Sequence, residues 1–217
     1  MSITLKRSCT MFVLSAPSGG GKSTVVRAVL RNVRGLAYSI SVTSRPPRAH
    51  ERDGVDFHFV TQEKFQERIQ RQEFYEWALV HGNCYGTPKA PIAGMLAEGK
   101  DVVLDIDVQG ARSVKSLRPD AVTIFLLPPS SEVLERRLRD RGTETDETIR
   151  VRLANATEEI AASLSFDYLV INDSVERAVA EIRGIIEAER NRAAQQELLL
   201  SNEPALEARL GKSRASH

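Results

Sequence analysis

The sequence predicts an α/β fold, a three-layer core around a parallel sheet that carries an inserted lobe and an arginine-rich lid. Short, continuous apolar runs rich in Val, Ile and Leu recur at 11–14, 102–106, 123–127 and 168–171, as strands buried on both faces require. Amphipathic helical stretches at 24–32, 90–97, 131–140 and 175–189 separate several of them, and this alternation builds a sheet covered on both sides. Two segments break the rhythm, 38–86 and 136–153. The core is therefore expected over 9–38, 88–135 and 154–190, the lobe over 39–87 and the lid over 136–153.

The first apolar run leads into Ser15-Ala16-Pro17-Ser18-Gly19-Gly20-Gly21-Lys22-Ser23-Thr24, and a helical pattern follows at once. Strand, glycine-rich loop, Lys-Ser and helix is the context of a phosphate-binding loop. Gly19, Gly20 and Gly21 permit positive φ, so main-chain N–H groups can curl toward one point. Those amides and the positive end of the helix dipole cradle a polyphosphate. Lys22 then bridges the outer phosphates and Ser23 offers a hydroxyl to Mg²⁺. Ala16 stands where the pattern usually has its first glycine. The alternative, a flexible surface turn, has no use for Lys-Ser at that offset.

The lobe reads as strands at 39–42 and 57–60 followed by a helix at 62–71. Within it, Pro46-Pro47 holds Ser41-Val42-Thr43-Ser44-Arg45-Pro46-Pro47-Arg48 extended. Arg45 and Arg48 then stand one polyproline turn apart, about 9 Å, as two guanidinium forks for a phosphate monoester. Two solvated arginines in a loop are the alternative. Downstream lie Glu73-Phe74-Tyr75-Glu76-Trp77-Ala78 and Gly82-Asn83-Cys84-Tyr85-Gly86-Thr87. A carboxylate at Glu76 suits the paired N–H donors of a guanine edge and a hydroxyl at Thr87 suits its O6, whereas adenine would leave a buried carboxylate unpaired. Alone, a glutamate beside aromatics is more commonly a surface helix residue.

The second apolar run ends in Leu104-Asp105-Ile106-Asp107-Val108-Gln109-Gly110. Asp105 and Asp107 are expected on one face of the strand at its ligand end, where carboxylates hold Mg²⁺ or its waters; capping is the alternative. In the lid, Arg137 and Arg141 are spaced to share a helix face, with Arg152 beyond the Gly142 break. Three cations there can close over a transferring phosphoryl group, against the alternative of a solvated basic helix. The tail, 191–217, is expected to be a fraying helix or a partner contact.

Composition narrows the partners. The net charge of the 217 residues is +1, and the clustered arginines lack neighbouring aromatics. That combination argues for a small, highly charged anion rather than nucleic acid. No run approaches the ~18 apolar residues of a membrane span, so no membrane partner is expected. Residues 1–8 lack the apolar segment of a secretory signal, and Cys9 and Cys84 are too few for a disulfide scaffold. A cytoplasmic location follows, and monomer or homo-oligomer stays undecided.

Taken in order, Ala16–Ser23, Ser41 through Arg48 to Glu51, 54–59, Glu76-Trp77, 82–86, 104–110, 141–143 and 170–173 resemble guanylate kinase, a P-loop nucleoside monophosphate kinase. The resemblance spans about Cys9 to Arg190. It implies a P-loop NTPase-type core, a GMP-binding lobe and a lid, with ATP and Mg²⁺ as donor and cofactor, GMP as acceptor and activity on dGMP. It implies that Ala16, Pro17, Ser18, Gly19, Gly20, Gly21, Lys22, Ser23, Thr24 and Asn172 contact ATP. Ser41, Arg45, Arg48 and Tyr85 would hold the GMP phosphate, Glu51 and Phe57 would belong to the same GMP site, and Glu76 and Thr87 would read the guanine with Asp107 close to the base. Lys22, Arg45, Arg137, Arg141 and Arg152 would be the catalytic cations, and Ser23 and Asp105 the metal contacts. Phe57 stands where the family usually has a tyrosine, which implies a modest loss of GMP affinity or compensation by Tyr85. Two other readings are a ribose bisphosphate kinase, which has no need of Glu76 and Thr87, and a phosphopeptide-binding module, which has no need of Lys22-Ser23.

Overall fold

Met11, Phe12, Val13 and Leu14 are each 0% exposed, which fixes their strand at the centre of the molecule. Phe12 and Leu14 pack on one side among Val25, Val26, Val29, Val179, Ile182 and Ile186. Met11 and Val13 face the other way, among Ile92, Ala111 and Val114. Alternate side chains thus serve opposite layers.

A computed structural model describes residues 2–80, 82–140 and 145–201. The chain begins β1 (Ser2–Arg7), β2 (Met11–Ser15), α1 (Lys22–Asn32), β3 (Leu36–Tyr38), β4 (Val42–Thr43) and β5 (His58–Phe59). It continues through α2 (Gln62–Gln70), β6 (Phe74–Val80), β7 (Asn83–Pro88), α3 (Lys89–Ala97), β8 (Asp101–Asp105) and α4 (Val108–Leu117). The last elements are β9 (Val122–Leu127), α5 (Ser131–Arg139), α6 (Asp146–Ala162), β10 (Tyr168–Ile171), α7 (Val175–Arg190) and β11 (Gln196–Ser201).

The core sheet has the order β10-β9-β2-β8-β3 and is parallel throughout. Helices α1 and α7 cover one face and α3 and α4 the other, the three-layer arrangement that buried apolar strands require. A second sheet, β5-β4-β7-β6, forms the inserted piece between β3 and α3. Its own small core is Val42, Phe65, Phe74 and Cys84. The α5–α6 pair meets through Leu134, Leu138 and Ala156.

Several expectations need correction. The strand expected at 39–42 does not form: β3 ends at Tyr38 in the core sheet, residues 39–41 are irregular, and β4 begins at Val42 in the inserted sheet. Helix α4, capped by Asp107, and strands β6 and β7 were not foreseen. The lid stretch is two helices, α6 running on to Ala162. Among the described residues after Asn191, one short 3₁₀ turn at Ala193–Gln195 leads into Gln196–Ser201, which pairs antiparallel with Ser2–Arg7 in place of a continuing helix. Six consecutive cross-strand pairs join the two segments there. The remainder of the tail lies outside the described residues.

Asp101 ties these ends to the core. It is 0% exposed and bonds to Arg7 at 2.5 Å, Arg190 at 2.8 Å and the Thr10 amide at 2.7 Å. A buried carboxylate is tolerated only when paired and hydrogen-bonded. Asp101→Asn is therefore expected to lower stability by roughly 2–4 kcal/mol, and Arg7→Ala by less, because Arg190 remains. Urea unfolding of the three proteins checks the order.

Candidate active site

Every strand of the core sheet runs the same way, so the loops after β2, β8, β9 and β10 gather at one edge, where open α/β sheets bind ligands. The loop after β2 carries Gly19 and Gly21 with φ of +85° and +84°. Gly21 is the N-cap of α1 and supplies no side-chain cap bond, as Pro88 supplies none to α3, whereas α2, α4, α5, α6 and α7 each receive one from Thr61, Asp107, Ser130, Thr145 or Ser174. The free N–H groups at the start of α1 thus face outward as an anion nest.

The walls of this nest are tight. A Cβ at Gly19 would lie 2.9 Å from Leu138, and one at Gly21 would lie 2.7 Å from Asn172 Nδ2. Asn172, 3% exposed, donates to the Gly20 carbonyl at 2.7 Å. The Asn172 main-chain carbonyl accepts from Arg137 Nη2 at 3.0 Å. Arg137 Nη1 is buried and has no hydrogen-bond partner among the described residues. It points toward Gly21, so a buried cationic donor is left open at the loop, which favours an incoming anion.

Lys22 does not reach into the nest. Its ammonium donates to the Ile106 carbonyl at 2.7 Å and pairs with Asp105 at 2.9 Å. Ser23 and Thr24 are exposed at the start of α1. Asp105 and Asp107 do not share a strand face: β8 ends at Asp105, and Asp107 accepts from the Gly110 amide at 2.7 Å as the cap of α4. The expectation failed because Ile106 already leaves the strand. Arg152 sits on α6 with Nη1 3.4 Å from Ser18 Oγ. Arg141, Gly142 and Thr143 lie outside the described residues.

The inserted lobe supplies a second group of residues. Glu76 and Thr87 are direct cross-strand partners on β6 and β7, and the Thr87 hydroxyl donates to Glu76 Oε1 at 2.5 Å. Burial pushes the Glu76 carboxyl up; the Thr87 hydrogen bond pulls it down, Asp107 raises it and Lys22 lowers it. A Cβ at Gly110 would lie 3.3 Å from both Glu76 and Asp107, so this glycine lets the start of α4 approach the carboxylate. Arg45 makes a bidentate pair with Glu51 at 2.8 and 2.9 Å and donates through Nε to Tyr85 at 3.2 Å. The Arg45 fork holds the Glu51 carboxyl down to about 2. Phe57 lies 5.5 Å from the Arg45 guanidinium and edge-on to Tyr85. Arg48 is exposed and its amide donates to Glu51 at 2.8 Å. Ser41 is half-buried, its carbonyl accepting from the His58 amide.

The chain matches the guanylate kinase family over residues 8–189. The chain belongs to the guanylate kinase family. It is 48% identical over 185 residues to the guanylate kinase of Symbiobacterium thermophilum, covering 85% of this chain and 88% of the relative. It is 50% identical over 183 residues to that of Myxococcus xanthus, covering 84% and 88%. The crystal structure of guanylate kinase from Anaplasma phagocytophilum superposes with a TM-score of 0.73 at 32% identity, covering 89% of this chain and 92% of that one. Shared family membership is consistent with the fold, an α/β core with a parallel central sheet. Among the described residues no helix is long and apolar enough to cross a membrane.

Two site residues had no signal in the sequence. Ile106 contributes only its carbonyl, which no side-chain pattern marks. Glu159, whose carboxylate accepts from the Ser18 amide at 3.2 Å, sits beside another glutamate, and only its position two helical turns after Arg152 separates it from a solvated acid. For this guanylate kinase family member, Gly21→Ala is expected to weaken binding of a non-hydrolysable ATP analogue roughly tenfold or more by displacing Asn172. The left-handed alanine should lower stability by about 1–2 kcal/mol. Calorimetric titration alongside thermal melting separates the two effects.

Proposed function

We propose that the chain transfers the γ-phosphoryl group of ATP to GMP, and to dGMP, giving ADP and the nucleoside diphosphate. The observation that carries this reading is the pairing of an uncapped anion nest after β2 with the half-buried Glu76 held by the buried Thr87. The first suits a triphosphate of any nucleoside; the second suits a guanine edge. Neither a sugar-phosphate kinase nor a peptide-binding module has use for both.

In this mechanism the loop amides and Lys22 position the donor phosphates, Lys22 exchanging Asp105 for phosphate oxygen. Asn172 and Arg137 line the side of the nest beside Gly21, the place of the donor nucleoside. Arg45, Arg48, Ser41 and Tyr85 receive the GMP phosphate, with Glu51 as the carboxylate that keeps the Arg45 fork oriented before it arrives. Phe57 lends a ring face to Arg45 where a tyrosine would add a hydroxyl, so Tyr85 supplies the phenol on its own. Arg137, Arg141 and Arg152 balance charge on the phosphoryl group as it passes in line. The GMP phosphate is already an anionic nucleophile, so positioning and neutralisation suffice.

A divalent cation accompanies ATP in this chemistry. Among the described residues no group of three or more His, Cys, Asp or Glu side chains could hold a metal alone. The exposed Ser23 hydroxyl and the Asp105 carboxylate are hard oxygen donors, which fit Mg²⁺ held mainly by phosphates and water. Bound there, it would neutralise charge on the outer phosphates.

Lys22→Ala is expected to lower kcat by roughly 10³-fold while the melting temperature stays within a few degrees. Near-normal turnover in a coupled assay offering GMP, AMP, UMP and ribose bisphosphate would refute the assignment. Glu76 supports a second expectation. Its acceptor form is the carboxylate, and burial raises its pKa, so GMP binding should weaken on acidification at a higher pH than an ordinary glutamate would titrate. Glu76→Gln should raise the KM for GMP by about 10²-fold, leave that for ATP within about twofold and abolish this acid limb. Steady-state kinetics across pH test both.

A further inference from the structure

The mouth of the phosphate loop is already engaged by the chain's own lid helix. The Ser18 main-chain amide, an element of the anion nest, donates to Glu159 Oε2 at 3.2 Å. From the same helix face, two turns earlier, Arg152 Nη1 meets the hydroxyl of the same serine at 3.4 Å. An acid and a base from α6 therefore grip one loop residue through its two polar groups. Glu159 is half-buried, whereas its neighbour Glu158 is exposed.

The electrostatic setting makes the acid unexpected. Burial raises the Glu159 carboxyl, the Ser18 amide lowers it, Asp107 from the start of α4 raises it and Lys22 from α1 lowers it. Lys22 itself is paired with Asp105. A carboxylate oxygen on a loop amide is the nearest thing a protein has to a phosphate oxygen in that position. Because Arg152, a cation assigned to the transferring phosphoryl group, meets the same serine, the place Glu159 occupies is the γ-phosphate end of the donor site.

We propose that Glu159 is a positioning residue of the donor site, an internal stand-in that holds the Ser18 amide until the terminal phosphate of ATP displaces it. The idea rests on the donor-site reading given under Proposed function. The carboxylate keeps loop and lid in register when no nucleotide is bound. It repels a γ-phosphate arriving at the same amide, and so takes part of the affinity that ATP would otherwise gain over ADP. ADP brings no γ-phosphate and leaves the contact undisturbed.

The test compares the full chain with its Glu159→Gln variant in Mg²⁺ buffer without GMP, titrated with ADP and with a non-hydrolysable ATP analogue. Glutamine keeps an oxygen acceptor for the amide and removes only the charge. The expected result is about fivefold tighter binding of the ATP analogue with ADP unchanged within about twofold. Equal shifts for the two nucleotides, or weaker binding of the ATP analogue, would overturn the proposal and leave Glu159 as a structural clamp. If the glutamine variant melts early, Glu159→Asp withdraws the charge by one methylene; a smaller gain confined to the ATP analogue is expected, and an unchanged ATP-to-ADP ratio overturns the idea. A wild-type protein that binds neither nucleotide would instead remove the donor-site reading, and this proposal with it.

Discussion

Helix α1 starts on a left-handed glycine that gives it no side-chain cap, and much of the molecule can be understood as support for that one incomplete helix end. Unpaired N–H groups at a helix start are tolerable at a surface and valuable opposite an anion. To hold them at a fixed place, β2 is buried through Met11–Leu14 and flanked by parallel neighbours on both sides. Leu134 and Leu138 press on Gly19, and Asn172 presses on Gly21, so elements distant in sequence limit how the loop can bend. A side chain added at either glycine meets these walls as well as the φ restriction. The glycines thus serve close packing as much as conformational freedom.

The core was legible because buried parallel strands are short, continuous and apolar, and that signal needs no partner information. Val102–Leu104, Ile124–Leu126 and Met11–Leu14 are all at or near 0% exposure, which is why their runs stood out. The lobe was harder. Strands β6 and β7 have mixed burial, with Trp77 and Leu79 exposed and Glu76 turned inward, so neither a continuous nor a cleanly alternating pattern marks them. A bulge at Tyr75 shifts the phase once more. Helix α4 was hidden behind Asp107, which could equally extend a strand or cap a helix until the backbone decides. The pairing of β1 with β11 joins the two ends of the sequence, and no local pattern predicts so distant a partner.

Residue types announced the site better than its connections. Lys22, Arg45, Glu76 and Asn172 carry distinctive chemistry at recognisable spacings, but sequence spacing does not say what each touches in the folded protein. Arg45 and Arg48 illustrate the limit. The Pro-Pro segment suggested two equivalent forks, yet Arg45 is folded onto Glu51 and Tyr85 while Arg48 is exposed. The difference comes from Glu51, which accepts from the Arg45 fork and from the Arg48 amide together. A carboxylate three residues beyond the motif thus decides which arginine is held in place.

Several of the groups proposed to hold phosphate are therefore paired with the chain's own carboxylates. Lys22 leans on Asp105, Arg45 on Glu51, and the Ser18 amide on Glu159. Concentrated positive charge without counter-charge would repel itself and destabilise the closed packing around the loop. Balancing it internally is consistent with a chain whose net charge is only +1 despite its arginine clusters. The same arrangement shapes binding. On the proposed reading, phosphates at Lys22, Arg45 and the Ser18 amide exchange with Asp105, Glu51 and Glu159 rather than simply adding to open groups, so part of the Coulomb gain is offset and release of a charged product stays feasible.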